Sequence, residues 1–242
     1  MAAGFICKQF VISHEHCAMK VNTDSFILGS WSEAPMGGRA LDIGCGSGIL
    51  SLMLRQRMGQ GSRVEALDID EGAVHQTRQN VAACPWPDDI TVFNADVRHQ
   101  DIAGLFDVIV CNPPYFANGQ VGSRAHLMQS QSRQQARQQD SLSADELFGI
   151  SANLISEQGT LQCLYPTAQA AQIIEQAGRH GWCLQRQLTV IPKPDKPSHV
   201  TAFDFSRHPV STPQLASLLI RDADNQYSQA YRALCRPFYL AF

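Results

Sequence analysis

No apolar run in this 242-residue chain comes near the roughly 18 residues that a bilayer-spanning helix needs, so a membrane protein is not expected. The opening residues, Met-Ala-Ala-Gly-Phe-Ile-Cys-Lys, lack a basic patch followed by an apolar stretch, and no secretory signal peptide is expected. The eight cysteines stand singly at 7, 17, 45, 84, 111, 163, 183 and 235, with no CxxC pair and no His cluster at metal spacing. A zinc site and a disulfide framework are therefore poor readings; free thiols in a reducing cytoplasm, serving mostly as small core hydrophobes, fit better. A basic excess is missing too. The net charge is −3, which argues against permanent residence on nucleic acid. The charge is uneven, with 13 acids against 8 Lys or Arg in residues 1–112 and 9 against 11 in residues 113–242. That distribution permits a transient nucleic-acid contact without requiring one. Internal repeats and a dividing linker are also absent, so residues 1–242 read as one domain, with an extension over 1–38 and a core over 39–242.

At 44% hydrophobic residues the chain can build a sizeable core. Short apolar stretches alternate with helical periodicity. Arg39–Ile43, Arg63–Asp68, Ile90–Asn94, Phe106–Cys111 and Thr160–Leu164 read as strands, and Ser47–Arg57, Glu71–Ala83, Ser143–Ser156 and Thr167–His180 as helices. This alternation predicts an α/β fold with a doubly wound, mostly parallel sheet. Trp182–Ile191 and Val200–Phe205, joined by a Pro/Lys-rich loop, predict an antiparallel pair, giving a seven-stranded sheet with an antiparallel C-terminal strand. In the extension, Phe5–Ser13 suggests a strand and Asp24–Glu33 a helix capped by Thr23 or Asp24. Gln129–Gln139 is Gln-rich and reads as an exposed segment or a solvated helix face.

Between the first core strand and its helix lies Leu41-Asp42-Ile43-Gly44-Cys45-Gly46-Ser47-Gly48. Glycines there let the backbone turn sharply and approach a ligand at the carboxyl edge of the sheet. The spacing is GxGxG, not the GxGxxG of dinucleotide enzymes, and no Lys-Ser/Thr follows as a P-loop demands. Asp68 ends the second core strand, where a carboxylate can accept both hydroxyls of a ribose; Asp96, after the third, is placed to face a base. Asp42, GxGxG and these two acids together resemble the Rossmann-like class I S-adenosylmethionine-dependent methyltransferases. That resemblance implies S-adenosylmethionine as cofactor, with Asp42, Gly44, Gly46, Gly48, Asp68, Ile69, Asp96, Val97 and Asn112 around it.

The fourth core strand is followed by Asn112-Pro113-Pro114-Tyr115, a loop that two prolines stiffen. It resembles the (D/N)PP(Y/F/W) motif of methyltransferases acting on planar nitrogens. An exocyclic amine conjugated to its ring is a weak nucleophile. The Asn112 side-chain oxygen and the Pro113 carbonyl can accept its two hydrogens and offset the positive charge that grows during transfer. Tyr115 can stack on the base and set the line of attack.

Several substrates share this motif: adenine in nucleic acid, guanine N2 in RNA, and the glutamine side chain of release factors. The segment from Phe10 to Asp24, with its Cys-Ala-Met-Lys-Val-Asn-Thr-Asp run, narrows them. So do LDIGCGSG, NPPYF followed by Gly119, the run from Arg124 through Arg137, and the tail from Tyr227 to Tyr239. Together, over essentially the whole chain, they are similar to the bacterial tRNA (adenine-N6)-methyltransferases that modify adenosine 37 of valine tRNA. One departure is Ser25-Phe26, where small or aliphatic residues are expected. The resemblance implies that Thr23 and Asp24 lie near the methionine end of the cofactor; a helix N-cap is the equally simple reading. RNA contact is expected from Arg124, Arg133, Arg137, Lys193 and Lys196, in transient engagement with tRNA and with no metal, membrane or obligate protein partner. A release-factor glutamine methyltransferase, an rRNA guanine-N2 methyltransferase and a catalytically silent RNA binder are the alternatives. The 38 residues before the core are too few for the separate helical domain usual in the first, and Asn112 with Tyr115 speaks against the last.

Overall fold

In the computed structural model, residues 4–13, 22–113 and 142–242 are described. Buried aliphatic runs form the sheet. β3 (Arg39–Ile43), β4 (Arg63–Asp68), β5 (Ile90–Asn94) and β6 (Phe106–Cys111) lie where the sequence predicts them, joined by α2 (Ile49–Met58) and α3 (Glu71–Ala82). After them come α4 (Ala144–Leu154), β7 (Ile155–Pro166), α5 (Ala170–Arg179), β8 (Cys183–Ile191), β9 (Val200–Ser206), β10 (Gln214–Leu219) and α6 (Gln229–Cys235). The sheet runs β10-β8-β9-β7-β6-β3-β4-β5, and only β9 opposes its neighbours. It is the doubly wound, mostly parallel architecture that the sequence predicts, with the expected antiparallel pairing of β8 and β9.

Strand pleating sends alternate residues to two cores. Ala40, Val64, Val108 and Val110 pack with Phe26, Leu52, Met53 and Tyr231 on the face covered by α1 (Thr23–Trp31), α2 and α6. Leu41, Ile43 and Ile109 face Leu147, Phe148, Ile173 and Ala177 of α4 and α5. The helix α1 sits so close to α2 that a Cβ on Gly29 would stand 2.6 Å from the Met53 sulfur.

Four expectations need correction. The sheet has eight strands, not seven: β10 is an edge strand whose first four residues are exposed, so its sequence carries no buried alternation to read. Phe5–Ser13 is not one strand but a hairpin of β1 (Phe5–Ile6) and β2 (Val11–Ile12), reversed by the Cys7 N–H donating to the Phe10 carbonyl. The cap of α1 is Asn22, whose Oδ1 accepts from the Ser25 N–H at 2.9 Å; Thr23 is already helical. The chain leaves α4 at Leu154 rather than Ser156, because Ile155 turns extended and pairs with Phe106.

Register fixes which loops meet. Ile43 pairs with Cys111, Cys111 with Cys163, and Val200 with both Pro166 and Val190. The carboxyl ends of β3, β6, β7 and β8 and the start of β9 therefore share one edge. The β1–β2 hairpin closes onto the far end of the chain: Cys7 bridges Tyr239, and the Lys8 N–H donates to the Phe238 carbonyl.

Candidate active site

At that edge the β3–α2 loop turns through three left-handed glycines, Gly44, Gly46 and Gly48, with φ of 75°, 57° and 80°. The Gly44 and Cys45 N–H groups donate to the Leu67 carbonyl, and the Gly46 N–H donates to Asp68 Oδ2 at 2.9 Å. Thr77 of α3 braces the loop from below. Its hydroxyl donates to the Gly46 carbonyl at 2.8 Å, and its methyl lies 2.8 Å from where a Cβ of residue 48 would stand. Around Gly44 and Gly46, by contrast, a Cβ would meet nothing within 4 Å, so the loop offers open backbone above and tight packing below.

Asp42, beneath the loop, is wholly buried. Its Oδ2 accepts from the Ser51 hydroxyl, and its Oδ1 has no partner among the described residues. Burial pushes its carboxyl up to about 7, partly offset by the Ser51 bonds and assisted by the nearby Asp68 charge. Asp68 is also raised by burial, against the N–H groups of Asp70 and Gly46 that stabilise its charge. One oxygen takes each of those N–H groups, the Ile69 N–H also stabilises the charge, and the carboxylate retains acceptor capacity for a ligand hydroxyl. Ile69 beside it is 53% exposed, an apolar surface next to the carboxylate.

Asp96 is gripped by Arg98, which donates from Nε to both carboxylate oxygens and from Nη2 at 2.7 Å. These bonds hold the Asp96 carboxyl below its ordinary value. Val97 is buried in the second core with Leu41 and Leu67. Asn112 begins the loop after β6, one residue past the Ile43–Cys111 pair, and its Nδ2 donates to the Ser25 hydroxyl of α1 at 2.8 Å. Pro113 is buried. The Cys111 thiol before it is raised by burial and by the Asp42 and Asp68 charges, so those groups share one neighbourhood with Asn112.

The structure thus brings Asp42, Gly44, Gly46, Gly48, Asp68, Ile69 and Asn112 to one edge. Thr23 and Asp24, with Lys193, line a neighbouring cavity at the same edge, between α1 and the β8–β9 loop that also carries Lys196. Pro114, Tyr115, Arg124, Arg133, Arg137, the Gln129–Gln139 segment and most of the Cys-Ala-Met-Lys-Val-Asn-Thr-Asp run lie outside the described residues. Among the described residues the cysteines are free thiols, no metal-binding cluster is present, and no helix is long and apolar enough to cross a membrane. Sequence reading missed Ser25 as a partner of Asn112, Ser51 and Thr77 as supports, and Arg98 on Asp96. Only the last left a local signal, the Asp-x-Arg spacing.

A doubly wound sheet with a glycine loop at its carboxyl edge and an acid ending the next strand is a Rossmann-like cofactor-binding arrangement, and the family match makes it that of a methyltransferase. The methyltransferase small domain model matches residues 13–163. A predicted O-methyltransferase from Agrobacterium tumefaciens shares the fold, with a TM-score of 0.62 at 17% identity over 89% of this chain and 96% of its own. A tRNA1(Val) (adenine(37)-N6)-methyltransferase of Tolumonas auensis is 39% identical over 98% of this chain and 97% of its own length. One of the same name from Serratia proteamaculans is 36% identical over 99% and 90%. The chain belongs to the methyltransferase small domain family and, within it, to the group of bacterial tRNA1(Val) (adenine(37)-N6)-methyltransferases.

Proposed function

We propose that this chain transfers a methyl group from S-adenosylmethionine to the exocyclic N6 of an adenosine in tRNA, adenosine 37 of valine tRNA, in the cytoplasm. The observation that carries the reading is the register Ile43 with Cys111, which sets the glycine loop and Asn112 on neighbouring strands. The names of the near-full-length relatives supply the substrate.

The residues present fit the cofactor. Gly44 and Gly46 leave open space along their backbone, Asp68 retains acceptor capacity for a ribose hydroxyl, and Ile69 exposes apolar surface beside it. A cationic occupant above buried Asp42, whose Oδ1 has no partner among the described residues, would favour the ionised form of its carboxyl. Asp96 and Val97 border the base end. S-adenosylmethionine, when bound, supplies a methyl group already activated on a sulfonium. The chain's own work is then to hold the amine. Asn112 and the Pro113 carbonyl accept its two N–H groups and stabilise charge that grows on the nitrogen, while Tyr115 stacks on the base. Ser25 fixes the Asn112 amide with Nδ2 toward α1, which turns Oδ1 to the opposite side as the acceptor. An anticodon-loop base is already single-stranded, so extruding it costs less than flipping it from a duplex. Arg124, Arg133, Arg137, Lys193 and Lys196 supply cations for the flanking backbone.

Incubation with isotopically labelled S-adenosylmethionine and tRNA lacking the modification, followed by digestion to nucleosides and mass spectrometry, tests this. Labelled N6-methyladenosine mapping to position 37 of valine tRNA is expected. Labelled N2-methylguanosine, or label appearing only in release factor, would overturn it.

A further inference from the structure

The motif residues leave one neighbouring feature unexplained. A cavity of about 430 Å³ opens between the first turn of α1, the β8–β9 loop and the end of β10. Its walls include Asp24, Lys193, His199, Arg221 and Tyr227. Register places it on the carboxyl edge of the sheet, because Val190 and Val200 pair immediately before Pro192 and after His199. Its α1 wall is directly coupled to Asn112, since Ser25, which holds the Asn112 amide, follows Asp24 in the same helical turn.

The charges in the cavity favour an anion. Asp24, the acid on its wall, is engaged by His199 Nε2 at 3.0 Å. Lys193 and Arg221 have no carboxylate partner among the described residues. Arg221 is preorganised: its guanidinium lies 4.1 Å from the Tyr227 ring centre, and Nη1 donates to the Asn225 carbonyl at 2.7 Å. That bond uses one of five N–H donors and leaves a fork suited to a phosphate. Tyr227 itself stacks on Tyr231, with ring centres 5.0 Å apart, and serves as the support for Arg221.

We infer that this cavity binds the sugar-phosphate of a nucleotide adjoining the target adenosine, with Arg221 and Lys193 on its phosphate. The inference rests on the reading of the chain as an RNA methyltransferase and adds a subsite to it. A polynucleotide that presents one base at Asn112, after β6, can continue along the same carboxyl edge, where the ends of β8 and β10 carry these two cations.

The test measures binding of fluorescently labelled tRNA lacking the modification to the full chain, across a salt titration, for wild type, Arg221→Gln and Lys193→Gln. Each variant is expected to weaken binding about fivefold, the upper range of one exposed ion pair. Each should also lower the slope of log affinity against log salt by about 0.7, the increment that one neutralised single-strand phosphate supplies. S-adenosylhomocysteine affinity should be unchanged, and Arg179→Gln, which breaks an exposed pair with Glu175 on α5, should bind tRNA as wild type does. Lys193→Gln leaves the Arg221–Tyr227 packing intact and keeps the test valid if Arg221→Gln unfolds. Wild-type affinity and slope in the folded variants, or loss of S-adenosylhomocysteine binding in step with tRNA, would overturn the subsite. Reduced slopes in the variants, with a wild-type protein that makes no N6-methyladenosine, would keep the subsite and remove the proposed reaction.

Discussion

Asn112 donates from its amide nitrogen to the Ser25 hydroxyl, and Oδ1 is the acceptor the amide can offer to the reacting amine. Asn112→Ala removes the acceptor and should lower kcat by about 10²–10³, as deleting one preorganised polar group does, with S-adenosylhomocysteine affinity nearly unchanged. Ser25→Ala keeps the acceptor but removes one bond that orients the amide, so a smaller loss of kcat with an unaltered KM for tRNA is expected. Single-turnover kinetics beside calorimetric binding separates the two, and equal loss of binding and catalysis in Asn112→Ala would deny it this role. Asp42 makes a different prediction. Its carboxyl is raised from 3.8 to about 7, so the folded chain retains a proton that the unfolded chain releases between those values. Its contribution to stability is therefore fullest below about pH 4 and declines as pH rises to about 7, by at most about 4 kcal/mol. Asp42→Asn should gain Tm over wild type across that interval and hold a constant gap above it. A gap independent of pH would mean that Asp42 ionises like an exposed carboxylate.

The glycine loop divides one motif into two kinds of position. Gly46→Ala faces open space, so its only fold cost is the left-handed backbone, about 1–2 kcal/mol. It should fold and lose cofactor affinity through the added methyl. Gly48→Ala adds a collision with Thr77 at 2.8 Å and should lose Tm well beyond Gly46→Ala in thermal unfolding. The order of β3 to β6 and the helices between them was legible because each strand is a short stretch rich in apolar residues and carrying buried ones, bounded here by Gly and Asp. The glycine loop was legible for the same reason: its chemistry lies in residues adjacent in sequence. β10 was not, since an exposed edge strand has no burial pattern to reveal it. Nor was the cap of α1, where Asn22, Thr23 and Asp24 are all good caps and only geometry chooses Asn22. Ser25 against Asn112 and Arg221 beside Lys193 are long-range pairs, joined only by sheet order.

Across the molecule, the departure at Phe26 becomes a structural centre. Its ring is 2% exposed and meets Phe5, Phe238 and Tyr239 at centroid distances of 5.1, 6.5 and 5.5 Å. It therefore joins the hairpin, α1 and the far end of the chain in one cluster. Phe26→Ala should cost about 3–5 kcal/mol. Chemical denaturation should show that loss, and a midpoint within error of wild type would exclude the cluster as a main source of stability. The same closure has a consequence for synthesis. Cys7 and Lys8 meet Tyr239 and Phe238, so this hairpin must wait until residues 238 and 239 are translated before it can seat. At ribosomal speeds of about 5–20 residues per second, that interval is roughly 10–50 s. The Phe238 and Tyr239 side of Phe26 stays uncovered on the nascent chain throughout, a natural stretch for a chaperone to hold until those residues emerge.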